Sequence, residues 1–321
     1  MKKKLSCHII TYNQIDYIEK CIEGALMQKV DFSTEIVIGD DNSTDGTREI
    51  LKDYAKKYPD LIRLNLREVR GSGIPGKDNF VSTLKMCNGQ YVSLCDGDDY
   101  WTDPLKLQKQ VDFLEANPDY VLCFHKVDIL KPNGEIVDDF ITIVPENDET
   151  IETLARLGNY IHTPSVLFRN VIKEFPFEFE QSPIGDYFLY MILSQQGKLK
   201  YLSEVMAVYR EGVGIWSLKS EYFKNFNTAY VHALLHSYFK NNTIISLIFL
   251  ERIKIFFKNF EKEITIEDLS IFSFNVALKV EILEFGMKRD SVLKSALRAN
   301  NPIKNFVQVI FQKLKIILWN R

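Results

Sequence analysis

Three aspartates stand close together in the chain: Asp96, Asp98 and Asp99 follow an apolar segment at residues 90–95. Carboxylates this close repel one another, which raises their pKa values, and a divalent cation removes that repulsion. Because the ligands are all oxygens, the expected ion is Mg²⁺ or Mn²⁺ rather than zinc. Mg²⁺ commonly takes phosphate oxygens as further ligands, so a diphosphate is the natural partner. The alternative is a solvated acidic turn or a helix-capping cluster.

A second acidic pair, Asp40 and Asp41, follows another apolar segment at residues 35–39. A carboxylate in this place can accept a hydrogen bond from the imide N–H of a base or from a ribose hydroxyl. The alternative is a turn before the next helix, with Ser43, Thr44 or Asp45 as the N-cap.

Short apolar strands alternate with helices over the first 125 residues. The patterns predict strands at 5–11, 35–39, 62–66 and 90–95, helices near 15–26, 47–57 and 77–86, and a further helix capped by Asp103 with Pro104 at its first position. This alternation indicates a mostly parallel sheet with right-handed crossovers. Ligands bind beyond the carboxyl ends of such strands. Residues 11–13, 40–41 and 96–99 are therefore expected to meet at one edge.

The later part of the chain follows a different pattern. Residues 131–134 read Lys-Pro-Asn-Gly between two apolar runs and predict a hairpin. Beyond Gly214 the sequence predicts helices near 221–240, 244–260, 267–285 and 302–319. Charge divides the chain in the same way, because residues 1–212 carry 24 Lys and Arg against 34 Asp and Glu, whereas residues 213–321 carry 16 against 9.

Composition excludes several classes of protein. The 321 residues are 46% hydrophobic and 26% charged, which is typical of a globular protein and not of a disordered, collagen-like or disulfide-stapled chain. The net charge of −3 argues against a nucleic-acid binder. Five cysteines without C-x-x-C spacing indicate buried reduced thiols. With neither a signal-peptide pattern nor an apolar run that could span a membrane, we expect a cytoplasmic protein.

Six short motifs, in order along residues 5–217, resemble those of the family 2 glycosyltransferases, which have the GT-A fold. They are the segments 10–13 (ITYN), 38–46 (IGDDNSTDG), 94–101 (LCDGDDYW), 160–169 (YIHTPSVLFR), 185–188 (GDYF) and 208–217 (VYREGVGIWS). The resemblance implies an α/β fold with a Rossmann-like, mostly parallel sheet flanked by helices. It also places the catalytic domain at 1–217 and leaves 218–321 as a helical C-terminal extension.

The resemblance implies roles for the residues after the first two strands and in the acidic motif. Thr11, Tyr12 and Asn13 would line the nucleotide, and Asp40 would hydrogen-bond its base. Asp96 would contact the ribose or a metal-bound water.

Further roles follow from the same resemblance. Asp98 would ligate the Mn²⁺ or Mg²⁺ ion that bridges the donor diphosphate, and Asp186 matches the catalytic base. Tyr209 and Arg210 match a block that closes over the diphosphate and the acceptor, where Asp99 would also make contacts.

Two positions leave alternatives open. Trp101 would either stack on an acceptor sugar or pack beneath the acidic loop. Many relatives carry a histidine shortly after the Tyr-Arg pair, whereas this chain has Glu211 and Gly212. A histidine contact to metal or phosphate is therefore in doubt, and an anionic Glu211 does not replace it near phosphates.

The implied activity is inverting transfer of a sugar from a nucleotide-diphosphate donor to a hydroxyl of a glycan or lipid-linked acceptor in polysaccharide biosynthesis. UDP is the commonest donor nucleotide by resemblance, with dTDP and GDP open. The alternative is a sugar-nucleotide-binding protein without turnover, against which the intact Asp96, Asp98 and Asp186 argue. A nucleotidyltransferase or a dinucleotide-dependent oxidoreductase would need a glycine-rich loop after the first strand, which is absent.

The segment 303–319 forms a basic amphipathic pattern that ends in Trp319. This pattern is typical of helices that lie on a membrane surface, which would place the protein at the inner face of the plasma membrane. The apolar face could equally pack on the rest of the protein, and an oligomer contact through the extension is also open.

Overall fold

The computed structural model describes residues 3–71, 73–144, 149–214 and 216–260, with the backbone alone at 257–260. Strands and helices alternate strictly through its first third, as predicted. In chain order they are β1 (Leu5–Thr11), α1 (Ile18–Leu26), β2 (Thr34–Asp40), α2 (Thr47–Lys57), β3 (Ile62–Leu66), α3 (Lys77–Met86) and β4 (Tyr91–Asp96).

The remaining elements are more irregular. They are β5 (Tyr100–Trp101), α4 (Lys106–Ala116), β6 (Tyr120–Leu130), β7 (Ile136–Asp138), α5 (Ile151–Leu157), β8 (Leu167–Arg169), α6 (Phe177–Glu180), α7 (Gly185–Leu193), β9 (Lys198–Arg210), α8 (Glu221–Tyr238) and α9 (Thr243–Phe260). Helices α8 and α9 confirm that the described part of the C-terminal extension is helical. The amphipathic segment at 303–319 lies outside the described residues.

One mixed sheet organises the molecule. Its strands run in the order β3-β2-β1-β4-β8-β6-β9-β5, with β7 paired to β6. The first four strands are parallel to one another, whereas β8 pairs antiparallel with both β4 and β6. The predicted α/β architecture, a sheet flanked by helices and parallel in its first four strands, is confirmed.

The register brings the predicted polar clusters together. Thr11 lies opposite Asp40 on β2, and Ile10 lies opposite Asp96 on β4. Because parallel strands end at the same edge of a sheet, the three segments that follow β1, β2 and β4 share one edge.

Apolar side chains cover both faces of the sheet. One core cluster joins alternate residues of β1 and β2 to α1, α2 and α4, and the other joins the opposite face to α3, α7, α8 and α9. All residues from Tyr187 to Leu193 of α7 are buried, as expected of a helix that is apolar all round and is enclosed by others. Helices α8 and α9 therefore share the core of the α/β part.

One predicted helix start is wrong by two residues. Helix α4 begins at Lys106, while Asp103 and Pro104 form a turn before it, in which the Asp103 carboxylate accepts the N–H of Leu105. The side chain of Gln28, two residues after the end of α1, accepts the N–H of Leu107 and thereby caps the helix from a distant part of the chain.

Two other predictions have clear outcomes. The hairpin is confirmed, because β6 and β7 pair antiparallel around a turn in which Gly134 has a φ of +85°. All five cysteines are buried free thiols. Among the described helices, none combines the length and apolar character needed to cross a membrane.

Candidate active site

The acidic loop after β4 is held by the end of β9. The Arg210 backbone N–H donates to the Asp99 carboxylate at 2.7 Å, and Arg210 Nε donates to the Asp98 carbonyl at 2.9 Å. The Arg210 guanidinium also lies 4.5 Å from the centre of the Tyr17 ring. These contacts bring the predicted Arg210 to the acidic motif and fix the path of the loop.

Burial and mutual repulsion raise the pKa values of the loop carboxyls. Burial, followed by the charges of Asp98 and Asp186, raises the pKa of Asp96 to about 8. Burial also raises the pKa of Asp98, with Arg210 partly offsetting it, and raises that of Asp99 well above its usual range. Three crowded carboxyls form a site in which added positive charge lowers the electrostatic cost.

The loop fits a cation that arrives with a polyanionic ligand. Within the described part of the chain, no group of three or more His, Cys, Asp or Glu side chains is arranged to hold a metal ion. Mg²⁺ needs only one or two carboxylates when phosphates and water complete its coordination. The raised pKa values of Asp96 and Asp98 are the observation that fits such an ion.

Asp186 lies in the first turn of α7. Its carboxylate accepts the Tyr187 backbone N–H at 2.7 Å and the Asn159 side-chain amide at 3.0 Å. Burial raises the pKa of Asp186, and these two hydrogen bonds oppose that rise. Because the charge of Asp186 also acts on Asp96, the predicted base and the acidic loop belong to one electrostatic cluster.

The segment after β1 connects the strand ends. The Thr11 hydroxyl donates to the Gln14 side chain at 2.7 Å, and Gln14 in turn lowers the pKa of Asp98 through a hydrogen bond. Asn13 has a φ of +51°, and its side chain accepts the N–H of Thr44 in the loop after β2. Asparagine tolerates this left-handed conformation better than most residues.

Tyr12 is only partly buried, and the Arg70 guanidinium lies 3.7 Å from the centre of its ring. An arginine stacked on a tyrosine forms a flat polar surface beside the strand ends. Tyr12, for which we expect a nucleotide contact, therefore lies at the sheet edge that the strand ends share.

The structure contradicts the assignment of Asp40 as a base contact. Its side chain is 0% exposed and accepts hydrogen bonds from Arg48 Nε at 2.8 Å and from the Ser43 N–H at 3.1 Å. Asp40 thus stabilises the loop from within. Asp41, the other member of the predicted acidic pair, lies 3.0 Å from Arg67 Nε, and its Oδ1 makes no well-aligned hydrogen bond.

Replacing Asp40 by asparagine should therefore reduce stability more than ligand affinity. Removing one partner of a buried ion pair leaves the other charge uncompensated, so we expect the free energy of unfolding to fall by about 3 kcal/mol. Urea denaturation measures this loss, and the exposed Asp53→Asn variant is the matched control. A variant of unchanged stability that no longer binds nucleotide would restore the original assignment.

Trp101 packs beneath the acidic loop and is not available to stack on a sugar. It is 3% exposed, its indole N–H donates to the Pro164 carbonyl at 2.9 Å, and the Lys106 ammonium lies 4.3 Å from the ring centre. The interpretation of Trp101 as an acceptor contact is therefore wrong, because both its ring and its N–H are used inside the core.

Tyr209 faces the carboxylates. Burial, followed by the charges of Asp99 and Asp98, raises the pKa of its phenol. The His162 ring lies 4.6 Å from the Tyr209 ring, and His162 Nε2 is 3.2 Å from Asp139, a residue that no sequence signal selected. This ring pair forms one wall of the site.

The Glu211 side chain points toward the hairpin between β6 and β7. Its carboxylate pairs with Lys131 at 3.1 Å, and Gly212 adopts a φ of +79° directly after it. The anionic side chain is thus neutralised by the turn between β6 and β7.

Comparison with known proteins finds similar sequences in bacteria. Protein Rv1520 of Mycobacterium tuberculosis is 38% identical over 208 residues, covering 64% of this chain and 59% of Rv1520. TuaG of Bacillus subtilis, a glycosyltransferase assigned to teichuronic acid biosynthesis, is 33% identical over 131 residues, covering 41% of this chain and 49% of TuaG. The chain therefore spans less than two thirds of the length of these relatives.

A solved structure shares the fold. TarS residues 1–349 from S. aureus, in complex with UDP, match with a TM-score of 0.61 at 18% identity, covering 88% of this chain and 80% of that TarS segment. The family model for glycosyl transferase family 2 matches residues 6–175, just over half of the chain, which include β1 to β4 and the acidic loop. The chain belongs to glycosyl transferase family 2.

Proposed function

We propose that this chain transfers a sugar from a nucleotide-diphosphate donor to a hydroxyl of a glycan or lipid-linked acceptor, with inversion at the anomeric carbon. The observation that carries the proposal is that the segments after β1, β2 and β4, the acidic loop among them, meet at one edge of the sheet in a member of glycosyl transferase family 2. We propose that Asp186, in the first turn of α7, is the base and that Asp96, Asp98 and Asp99 line the place where the diphosphate and its cation bind.

UDP is the first donor nucleotide to consider. TarS, which has the same fold, binds UDP, and TuaG is assigned to the biosynthesis of a cell-surface polysaccharide. Tyr12, Asn13 and Thr11 lie at the strand ends where the nucleotide would be held. We propose Asp41 in place of Asp40 as the carboxylate that accepts a base N–H. Both Asp40 oxygens already accept hydrogen bonds from the protein, whereas Asp41 Oδ1, which lies 3.0 Å from Arg67 Nε, accepts none of good geometry.

In the proposed reaction Asp186 takes the proton of the acceptor hydroxyl as the oxygen bonds to the anomeric carbon. The bond from that carbon to the phosphate oxygen breaks, and the nucleoside diphosphate leaves with the electron pair. General-base assistance of this kind is worth about 10² to 10⁴ in rate. The Asn159 and Tyr187 N–H groups hold the carboxylate in one orientation during the transfer.

Asp98, with Asp96 beside it, would hold Mn²⁺ or Mg²⁺. Such an ion supplies electrostatic stabilisation to the departing diphosphate. Arg210 ties the loop to β9, and Tyr209 and Asp99 complete the wall that faces the ligand. We propose that these residues set the position of the donor.

A panel of nucleotide sugars tests the proposal. UDP-glucose, UDP-N-acetylglucosamine, UDP-galactose, dTDP-rhamnose and GDP-mannose are each added with Mn²⁺, and thermal stabilisation and nucleotide release are measured. We expect at least one UDP-sugar to stabilise the protein and to release UDP. Stabilisation without release would favour the non-catalytic sugar-nucleotide-binding alternative, and neither effect with any donor would contradict the proposal.

The proposal also assigns residue ranges to the catalytic part and to the extension. We propose that residues 1–217 form the transferase and that the extension contributes packing through α8 and α9. A contact of 303–319 with the inner face of the plasma membrane is tested by co-sedimentation of the full chain with vesicles containing phosphatidylglycerol. Binding that is unchanged when Lys304 and Lys315 become glutamate would exclude this segment.

A further inference from the structure

Lys77 is a buried lysine beside the proposed catalytic base. It is the first residue of α3, is 8% exposed, and its ammonium makes no hydrogen bond to any described residue. The ammonium lies 4.0 Å from the centre of the Phe179 ring. A buried lysine without a hydrogen-bond partner is rare, because desolvation of the charge is costly.

Gly185 provides the space for this ammonium. A Cβ atom at Gly185 would lie 3.0 Å from Lys77 Nζ, which is closer than ordinary van der Waals contact. Any side chain at the residue that precedes Asp186 would therefore crowd the lysine. Because Gly185 has no side chain, the ammonium can approach the start of the helix that carries the base.

The charged groups that face Lys77 are acidic. Burial lowers the pKa of Lys77 to about 7, while the charges of Asp186 and then Glu180, from α7 and α6, oppose that fall. Near neutral pH these carboxylates thus help to keep the ammonium protonated.

Burial disfavours the charged form of Asp186, and several neighbouring groups favour it. Burial raises its pKa, whereas the hydrogen bonds from Asn159 and Tyr187 and the charge of Lys77 lower it. Asp96 from β4 lies close enough for its charge and that of Asp186 to repel, and the Asp186 charge also acts on the phenols of Tyr190 and Tyr209. Lys77 is the one cation identified among these neighbours in the described part of the chain.

We infer that Lys77 is a positioning residue for Asp186: its ammonium, admitted by the missing side chain of Gly185, keeps the partly buried carboxylate ionised and able to accept a proton. The inference rests on the proposed function, because it concerns the same base. The inference adds a cation beside the base, and this cation belongs neither to the GDYF motif nor to the acidic loop.

The pH dependence of kcat/KM for Lys77→Met tests this inference, with the nucleotide sugar from the panel that releases UDP fastest. Loss of a neighbouring positive charge raises a carboxyl pKa, so we expect the acidic limb of the profile to move up by about one pH unit. At pH values on the acidic limb, kcat/KM of Lys77→Met should therefore be about ten-fold lower than that of the wild type. Above pH 8 the two profiles should converge, because Lys77 is then largely neutral and Asp186 is ionised in both proteins.

Matched variants separate this effect from a loss of structure. Lys85→Met removes an exposed lysine from the same helix and should leave the profile unchanged. Lys77→Arg keeps the charge and should retain the wild-type limb. Thermal melting and UDP binding confirm that each variant is folded.

The outcomes distinguish failure of the role of Lys77 from failure of the proposed function. An Asp186→Asn protein that is inactive, together with a Lys77→Met profile that superimposes on the wild type or is lowered equally at every pH, overturns the role of Lys77 alone. If Asp186→Asn keeps near-wild-type transfer, the proposed function itself has failed.

Discussion

Asp186→Asn should abolish sugar transfer while leaving donor binding nearly unchanged. The amide has almost the same shape and can still accept the Tyr187 N–H, so the start of α7 should persist. It cannot take a proton from the acceptor, and we expect kcat/KM to fall by about 10² to 10⁴. Initial rates of UDP release in the presence of acceptor and calorimetry with UDP measure the two quantities separately.

The control for this variant is Asp53→Asn, which removes an exposed carboxylate from α2. It should match the wild type in both measurements. Transfer by Asp186→Asn within a few-fold of the wild-type rate would show that another group removes the proton. A parallel loss of UDP affinity would instead indicate a structural role for Asp186.

The second large effect is expected from Asp98→Asn, which should remove the contribution of the cation to donor binding and turnover. The substitution takes away a negative charge but keeps the size of the side chain. Because electrostatic stabilisation of a leaving diphosphate is worth several kcal/mol, we expect a loss of about a hundred-fold or more in kcat/KM. Titrations with UDP, with and without Mn²⁺, measure the coupling directly.

The wild type should bind UDP more tightly when Mn²⁺ is present, and Asp98→Asn should show little difference between the two conditions. The exposed Asp60→Asn variant serves as the control and should retain the full effect of Mn²⁺. Equal dependence on Mn²⁺ in the wild type and in Asp98→Asn would place the cation elsewhere.

The position of the site could be predicted because it depends on strand ends. Apolar runs and polar residues directly after them are visible in the sequence, and parallel pairing then brings Thr11, Asp40 and Asp96 to one edge. Asp186 was found through a motif, and its place in the first turn of α7 agrees with the local preference for acidic residues at helix starts.

The errors arose where a distant residue decides what a side chain does. The sequence contains no signal that Arg48 pairs with Asp40, or that the Pro164 carbonyl accepts the indole N–H of Trp101. Likewise Gln28, which follows α1, caps α4, whose first residue is Lys106 and not Pro104.

The burial of Lys77 also depends on residues that are distant in the sequence. A lysine at a helix start normally predicts a solvated side chain, because charged groups there can reach water. Its burial depends on the Phe179 ring and on the missing side chain of Gly185, both about a hundred residues later in the chain. Only the packing of α3 against α6 and α7 reveals it.

A crystal structure of the full chain with UDP and Mn²⁺, recorded near the manganese absorption edge, tests the central claim most directly. The anomalous peak should lie within coordination distance of the Asp98 carboxylate and of the UDP diphosphate, with the uracil at the edge formed by β1 and β2. A UDP molecule bound away from that edge, or a manganese peak remote from the acidic loop, would contradict the proposed donor site.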